Sequence, residues 1–238
     1  MSTVTEADLL TVWEAGRRQG RVRRALVLAE AGGADPSAVA DLSVGRRDEF
    51  VLALRERFFG AAFPCAVTCP SCAEELEIEL SIDDLRVPAI GDREARVDHG
   101  DLVVRFRPIT SRDLLTVRAG AREARRQLIS RCVLDARRGE GSVPADELPD
   151  DVLDTVAAAL AAQDPQAAVL LELDCASCGH EWRSPFDIAA YLWGELDTYV
   201  RRFMHDVHLL ASAYGWSEAE VLAVDPGRRQ GYLEMVTT

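Results

Sequence analysis

Two stretches, CPSCAEELEIELSIDDL (Cys69–Leu85) and CASCGHEWRSPFDIAAY (Cys175–Tyr191), superimpose without a gap at an offset of 106 residues. Leu76 then falls on Trp182, Leu80 on Phe186, Ser81 on Asp187 and Ile82 on Ile188. EELEIEL (Glu74–Leu80) alternates acidic and apolar residues as a half-buried strand does. Each unit therefore reads as strand, cysteine turn, strand, helix cap and helix. A two-residue gap lets both thiolates of one turn reach a single ion. Two such turns complete a tetrahedron with Zn–S distances of about 2.3 Å. The pattern predicts a zinc-ribbon-like β element in which Cys69, Cys72, Cys175 and Cys178 hold a structural Zn2+. Four protein ligands leave no open position, so the ion would serve folding and not catalysis. Sites of this kind contribute on the order of 10–16 kcal/mol of apparent binding energy to folding. The clasp would tie Cys72 to Cys175 across 102 intervening residues, bringing the N-terminal helices and the long C-terminal helix to a common base.

The neighbourhood offers substitutes. Cys65 lies four residues before Cys69 and His180 two after Cys178, and either could replace a cysteine, although Cys65 reads better as a small buried residue at a strand edge. Ala73 stands where Gly179 follows the second pair, and a left-handed residue at that point strains Ala. A redox CxxC opens a helix in a βαβ setting, whereas strands flank both turns here. Cys132 reads as core, and His205 with His208 as an exposed polar pair.

Outward from the knuckles the chain is mainly helical, so the fold class is α+β. Thr5 with Asp8 forms a capping box before Leu9, Leu10, Val12 and Trp13, and GRRQGRVRR (Gly16–Arg24) continues in a helix carrying Val22, Leu26 and Leu28. The Arg17 to Arg24 cluster could meet an acidic partner or phosphate, but reads more simply as a solvated helix face balancing the surrounding acids. SVGRRDEFVLALRERFFG (Ser43–Gly60) places Phe50, Val51, Leu54 and Phe58 at helical spacing. EARVDH and DLVVRFRP form a hairpin about His99-Gly100. A helical insert runs from Thr110 to about Ala136 with Leu128, Ile129, Cys132 and Val133 on one face. RRGEGSVPADELPDD (Arg137–Asp151) is a loop, a helix with Val152, Val156 and Leu160 follows, and AVLLELDC (Ala168–Cys175) is a buried strand. Asp187 caps the longest helix, whose stripe is Ile188, Leu192, Leu196, Tyr199, Phe203, Val207 and Leu210, up to Gly215. Ser217 with Glu220 restarts the chain, and Asp225-Pro226 opens the last helix. By sequence the segments are 1–62 (N-terminal helices), 63–109 (first knuckle and hairpin), 110–166 (helical insert), 167–187 (second knuckle) and 188–238 (long helix and terminal motif), expected to form one unit closed by the metal.

Composition narrows the function. Forty acids against 27 bases, every base an Arg, give a net charge of −13, which argues against sequence-independent grip on nucleic acid. MSTVTEADLL lacks a basic start followed by an apolar run, and no apolar run approaches the ~18 residues of a membrane span, so the protein reads as cytoplasmic. There is no HExxH, no phosphate-cradling Gly loop, no GxSxG and no His placed beside a nucleophile; the expectation is a non-enzyme. Asp83-Asp84 and Asp150-Asp151 sit at helix starts, where carboxylates favour the dipole.

LSVGRRDEFVLALRERFFG, TCPSC, LELDCASCGHEW, FDIAAYLWGELD and AYGWSEAEVLAVDPGRRQGYLEMV together resemble the baseplate proteins of contractile phage tails, in the form found with bacterial phage-tail-like contractile injection systems. The resemblance runs from about Leu42 to the C-terminus and is weakest between Ile90 and Asp164. It implies a baseplate-hub component or hub-assembly factor whose partners are other baseplate, hub, spike or tail proteins. It carries the metal-ligand role to Cys69, Cys72, Cys175 and Cys178, and a terminal motif to Tyr214, Gly215, Trp216, Arg228, Arg229 and Tyr232. Tyr214, Trp216, Arg228, Arg229 and Tyr232 are accordingly the expected partner-binding residues. The rival reading is a zinc-ribbon nucleic-acid-binding or regulatory protein. That role wants a basic strand face, and Glu74, Glu75, Glu77 and Glu79 make the first one acidic.

Overall fold

The structure is a computed structural model and describes residues 5–87, 94–117 and 120–237. The chain divides into two units, Met1–Gly20 with Ala190–Thr238, and Arg21–Ala189. The sequence segments 63–109, 110–166 and 167–187 all lie in the second. The α+β, mainly helical class is as expected.

In the larger unit, α2 (Arg21–Ala31) precedes α3 (Val44–Phe59). The Ser43 hydroxyl accepts from the Arg46 N–H to start α3, and Val51, Leu52 and Leu54 are buried on its inner face. Gly45 lies against Asp164: its N–H donates to Oδ2 at 2.9 Å, and an added Cβ would sit 1.9 Å from Oδ1. A distant carboxylate thus satisfies a free donor in the first turn of α3. Next to it, Arg47 and Asp48 form a buried pair at 2.7 Å, and the Arg47 Nη1 donates to Ser111 Oγ at 3.0 Å. Burial pushes the Asp48 carboxyl up to about 6 against the pull of Arg47, with the Asp187 and Asp164 charges adding to the rise.

A four-stranded antiparallel sheet, in the order β3 (Ala95–His99), β4 (Leu102–Phe106), β5 (Val133–Arg138), β6 (Gly141–Ser142), follows. Its inner face packs Leu102, Val104, Phe106 and Ala136 on α6 (Ala121–Cys132) and α7 (Asp150–Gln163), through Ile129, Cys132, Val152, Leu153, Val156 and Leu160. Between β4 and α6, α5 (Ser111–Thr116) starts at a capping box of Thr110 with Asp113. Burial opposes ionisation of Asp113, but the bidentate Arg107 (2.6 and 2.9 Å) and the Thr110 hydroxyl and N–H outweigh it and bring the carboxyl down to about 2.

Three sequence expectations are corrected in this unit. The helical insert does not reach Ala136: α6 stops at Cys132, and Val133–Arg138 becomes β5. The helical spacing of Leu128 to Val133 is overridden because Val133 and Ala136 pair with Phe106 and Val104, while the Arg107 N–H takes the Cys132 carbonyl. RRGEGSVPADELPDD is not simply loop, since it holds the end of β5, β6, a short 3-10 turn at Ala145–Glu147 and the start of α7. AVLLELDC does contain a strand, β7 (Leu170–Asp174), yet Leu170 is 54% exposed; among the described residues β7 pairs only with β8 (Glu181–Pro185), and it keeps one face in solvent.

The smaller unit joins α1 (Glu6–Gly16), the body of α8 (Ile188–Tyr214) from Ala190 onward, α9 (Glu218–Ala223) and α10 (Pro226–Thr237). The capping boxes expected at Thr5/Asp8 and Ser217/Glu220 both form. The arginine run is not one helix, because α1 ends at Gly16 and the chain turns through Arg17–Gln19. Phe203, Leu210, Val221 and Leu233 are the centre of this unit, with Leu10, Trp216 and Tyr232 against them. Polar ties fix α1 in place: Trp13 Nε1 donates to Asp197 Oδ1 at 2.8 Å, and Arg229 takes Glu6 through two bonds of 2.6 and 2.8 Å. The Tyr199 hydroxyl donates to the same Glu6 carboxylate at 2.6 Å.

Candidate metal centre

The first knuckle is built on β1 (Ala62–Thr68) and β2 (Glu75–Ser81), whose register pairs Val67 with Leu76 and closes at Thr68–Glu75. Beyond that pair the chain turns tightly. The Cys69 N–H donates to the Glu74 carbonyl at 2.8 Å, and the Ala73 N–H to the Cys69 carbonyl at 3.0 Å. The second knuckle repeats this on β7 and β8. The Cys175 N–H reaches the His180 carbonyl at 2.9 Å and the Gly179 N–H the Cys175 carbonyl at 2.7 Å. The gap-free sequence match is therefore a match of hydrogen bonds. The turn requires a left-handed residue, supplied by Gly179 (φ 68°) and by Ala73 (φ 60°), the one non-glycine with positive φ among the described residues. For Ala that conformation costs about 1–2 kcal/mol.

Each hairpin then runs into a helix. Ser81 and Asp84 form the capping box of α4 (Ile82–Leu85), and α8 begins at Ile188, directly after Asp187. Ile82 and Ile188, equivalent in the repeat, are both buried. The hairpin bases meet through Phe63 and Phe186, edge to face with centroids 6.2 Å apart. The buried Arg55 lies 3.8 Å over the Phe63 ring and also donates to the Gly60 carbonyl. Aromatic packing thus joins the two hairpins at one end, and the cysteines meet at the other.

The four sulfurs lie within 4.8 Å of one another, with Cys69 and Cys178 at 3.8 Å and Cys72 and Cys175 at 3.6 Å. A tetrahedron with metal–sulfur bonds of about 2.3 Å has edges of about 3.8 Å, so the donor set fits a four-coordinate thiolate site. Cys69 and Cys175, at the strand ends, are buried; Cys72 and Cys178, at the turn tips, are exposed. Burial raises the Cys69 thiol, but the backbone N–H groups of Cys72 and Ser71, with the Cys72 and Cys175 thiols, outweigh it and bring it down to about 7. The Glu74 N–H favours the Cys72 thiolate, yet the Cys178 thiol, burial, and the Cys175 and Cys69 thiols together push it up to about 12. Four crowded sulfurs cannot all ionise against one another; a cation at their centre would let them.

No other group of three or more candidate ligands converges among the described residues. The substitutes fall away. Cys65 is half-buried within β1 opposite Ile78, and the His180 ring stacks on Trp182 at 5.9 Å. Cys132 is fully buried in the core, its thiol raised to about 12 by burial, and His205 and His208 are exposed on α8. The paired acids stand in first turns: Asp84 caps α4, while Asp150 meets Arg126 at 2.7 Å and Asp151 meets His99 at 3.1 Å. Of the arginine cluster, Arg17 covers the Trp13 ring at 5.2 Å and Arg21 lies 3.6 Å from Asp187.

The terminal motif separates into two parts. Tyr214, Trp216 and Tyr232 form a ring cluster with centroids 5.0–5.7 Å apart, Tyr214 being 41% exposed, and Arg228 is exposed on α10. Arg229, expected at a partner surface, is instead buried in its pair with Glu6 and lies 5.1 Å over Phe203. Sequence reasoning missed Glu6 as its partner, and Tyr199 as the second donor to that carboxylate. Glu6 is an ordinary first-turn acid, and nothing local marks its pairing with a residue 223 positions away.

The chain matches the family described as T4 bacteriophage base plate protein over residues 3–193, and it belongs to that family. The match takes in both knuckles and ends within α8, short of the Tyr214–Tyr232 motif. No curated protein and no solved structure matches the chain. Among the described residues, no helix is long and apolar enough to cross a membrane.

Proposed function

We propose that this chain is a non-enzymatic part of the baseplate hub, or a factor that assembles the hub, in a phage-tail-like contractile injection particle. It would work in the cytoplasm as the particle is built. In this reading a Zn2+ ion held by Cys69, Cys72, Cys175 and Cys178 closes the larger unit. The observation that carries the proposal is the family match over residues 3–193, within which four sulfurs from two distant turns converge. Such a site supplies folding energy and leaves no ligand position for a substrate. Its service is to hold the hairpins, and the helices that follow them, in one arrangement that other subunits can read.

The proposed contacts with hub, spike or tail proteins lie at the end of the chain, on Tyr214, Trp216, Tyr232 and Arg228. Partly exposed aromatic rings beside an Arg have the composition of interface hot spots. The outer face of β2 carries Glu75, Glu77 and Glu79, all exposed, which supports protein partners over nucleic acid. The test is co-expression of the whole particle with a tagged copy of this chain, followed by pull-down and mass spectrometry. Recovery of baseplate, hub or spike subunits, weakened by Tyr214→Ala with Arg228→Ala, is the expected result. A particle that assembles normally without this chain, and a pull-down that recovers none of its subunits, would end the proposal.

A further inference from the structure

The cysteine cluster has an inside and an outside. Cys69 and Cys175 directly follow β1 and β7 and are buried, whereas Cys72 and Cys178 lie on exposed turn tips. Each exposed sulfur faces a buried sulfur of the opposite knuckle, Cys72 with Cys175 at 3.6 Å and Cys178 with Cys69 at 3.8 Å. Both pairs are aligned as hydrogen-bonded thiols, and they are related by the same repeat that relates the two turns.

We propose that the cluster is also a modification site for peroxides, an oxidisable latch that exchanges its metal for two disulfides across the knuckles, Cys72–Cys175 and Cys69–Cys178. This rests on the metal-clasp reading above. With the cation bound, Cys72 would be held as a thiolate; open to solvent, its sulfur attacks one oxygen of hydrogen peroxide. The O–O bond breaks, the departing hydroxide takes a proton to become water, and Cys72 is left as the sulfenic acid. The Cys175 sulfur next to it then attacks the Cys72 sulfur, forming the S–S bond and expelling hydroxide, which is protonated to a second water. Two thiols are oxidised and one peroxide is reduced. Cys178 and Cys69 repeat the sequence with a second peroxide. The donor set is then gone and the ion leaves, while the new bonds still join the two hairpins. Disulfides formed within a knuckle would leave the hairpin tips unconnected, so the connectivity decides whether oxidation preserves or opens the clasp.

The test uses the full chain, metal-loaded and free of reductant. Its metal content is measured first. Hydrogen peroxide is then added while a chromogenic chelator follows metal release, and the disulfides are mapped by non-reducing peptide mass spectrometry. Expected are full release at about two equivalents of peroxide per chain, the cross-knuckle peptides, unchanged far-UV circular dichroism, and recovery of the metal site with dithiothreitol and Zn2+. Cys69–Cys72 and Cys175–Cys178 peptides, irreversible sulfinates without disulfides, or metal retained while Cys65 oxidises would each overturn the latch and leave the clasp standing. A chain that is folded and metal-free before any peroxide is added overturns both.

Discussion

Replacing Glu6 by Ala strands one of the most enclosed charges in the smaller unit. The Arg229 side chain is 8% exposed and its Glu6 partner 24%, and they are joined by two hydrogen bonds of 2.6 and 2.8 Å. Removing one member of a fully buried pair costs about 3–5 kcal/mol, most of it from leaving the other charge without a counterpart. Glu6 is partly solvated, so the expected loss is about 2–3 kcal/mol for Glu6→Ala. Arg229→Met should cost less, because Met keeps the packing over Phe203 and the freed carboxylate can reach water. The double variant should be more stable than additivity predicts, with a coupling of about 1–2 kcal/mol. Urea unfolding followed by tryptophan fluorescence suits the measurement: Trp13, Trp193 and Trp216 lie in this unit, and a Trp182→Phe background silences the other. Single variants that each cost under ~0.5 kcal/mol and add without coupling would refute the claim that Arg229 serves the fold.

Three further outcomes follow from particular contacts. Asp113 is lowered to about 2 from the ordinary 3.8, so its contribution is complete above pH 4 and is lost as the pH falls towards 2; after allowance for screening this amounts to about 1–2 kcal/mol, and Asp113→Asn should flatten that part of the stability–pH curve measured by urea titration. Gly45→Ala places a Cβ 1.9 Å from the Asp164 carboxylate and forces it off the start of α3; a loss of about 2 kcal/mol is expected by chemical denaturation, and a neutral result would show that Asp164 does not cap α3. Ala73→Gly relieves the left-handed strain in the first knuckle and should stabilise the metal-loaded protein by up to about 1 kcal/mol, while Gly179→Ala should cost a similar amount; equal behaviour at the two positions would contradict the matched turns.

The parts of the fold that were readable are those written in local chemistry. The knuckles, the helix cap at Ser81, the capping boxes at Thr5 and Ser217, and the three-and-four spacing of α8 each sit within a few residues of chain. What escaped is long-range. Leu128 to Val133 satisfy a helix as well as a strand, and only pairing with β4 decides that Val133 leaves α6. AVLLELDC looks like an interior strand until its pairing with β8, its single strand partner among the described residues, is known. The division of the terminal motif between surface and interior depends on Glu6, which lies near the opposite end of the sequence. The candidate site itself was legible because four cysteines at matched spacing have few other uses, whereas the proximity of Phe63 to Phe186 beneath them had no sequence signal.

Elemental analysis of the freshly purified, never-chelated protein, paired with circular dichroism before and after metal removal, bears most directly on the clasp. One zinc per chain is expected, with loss of ordered structure in Arg21–Ala189 when it is withdrawn and the same loss for Cys72→Ser. Protein that contains no metal and is nevertheless fully and stably folded would contradict the account.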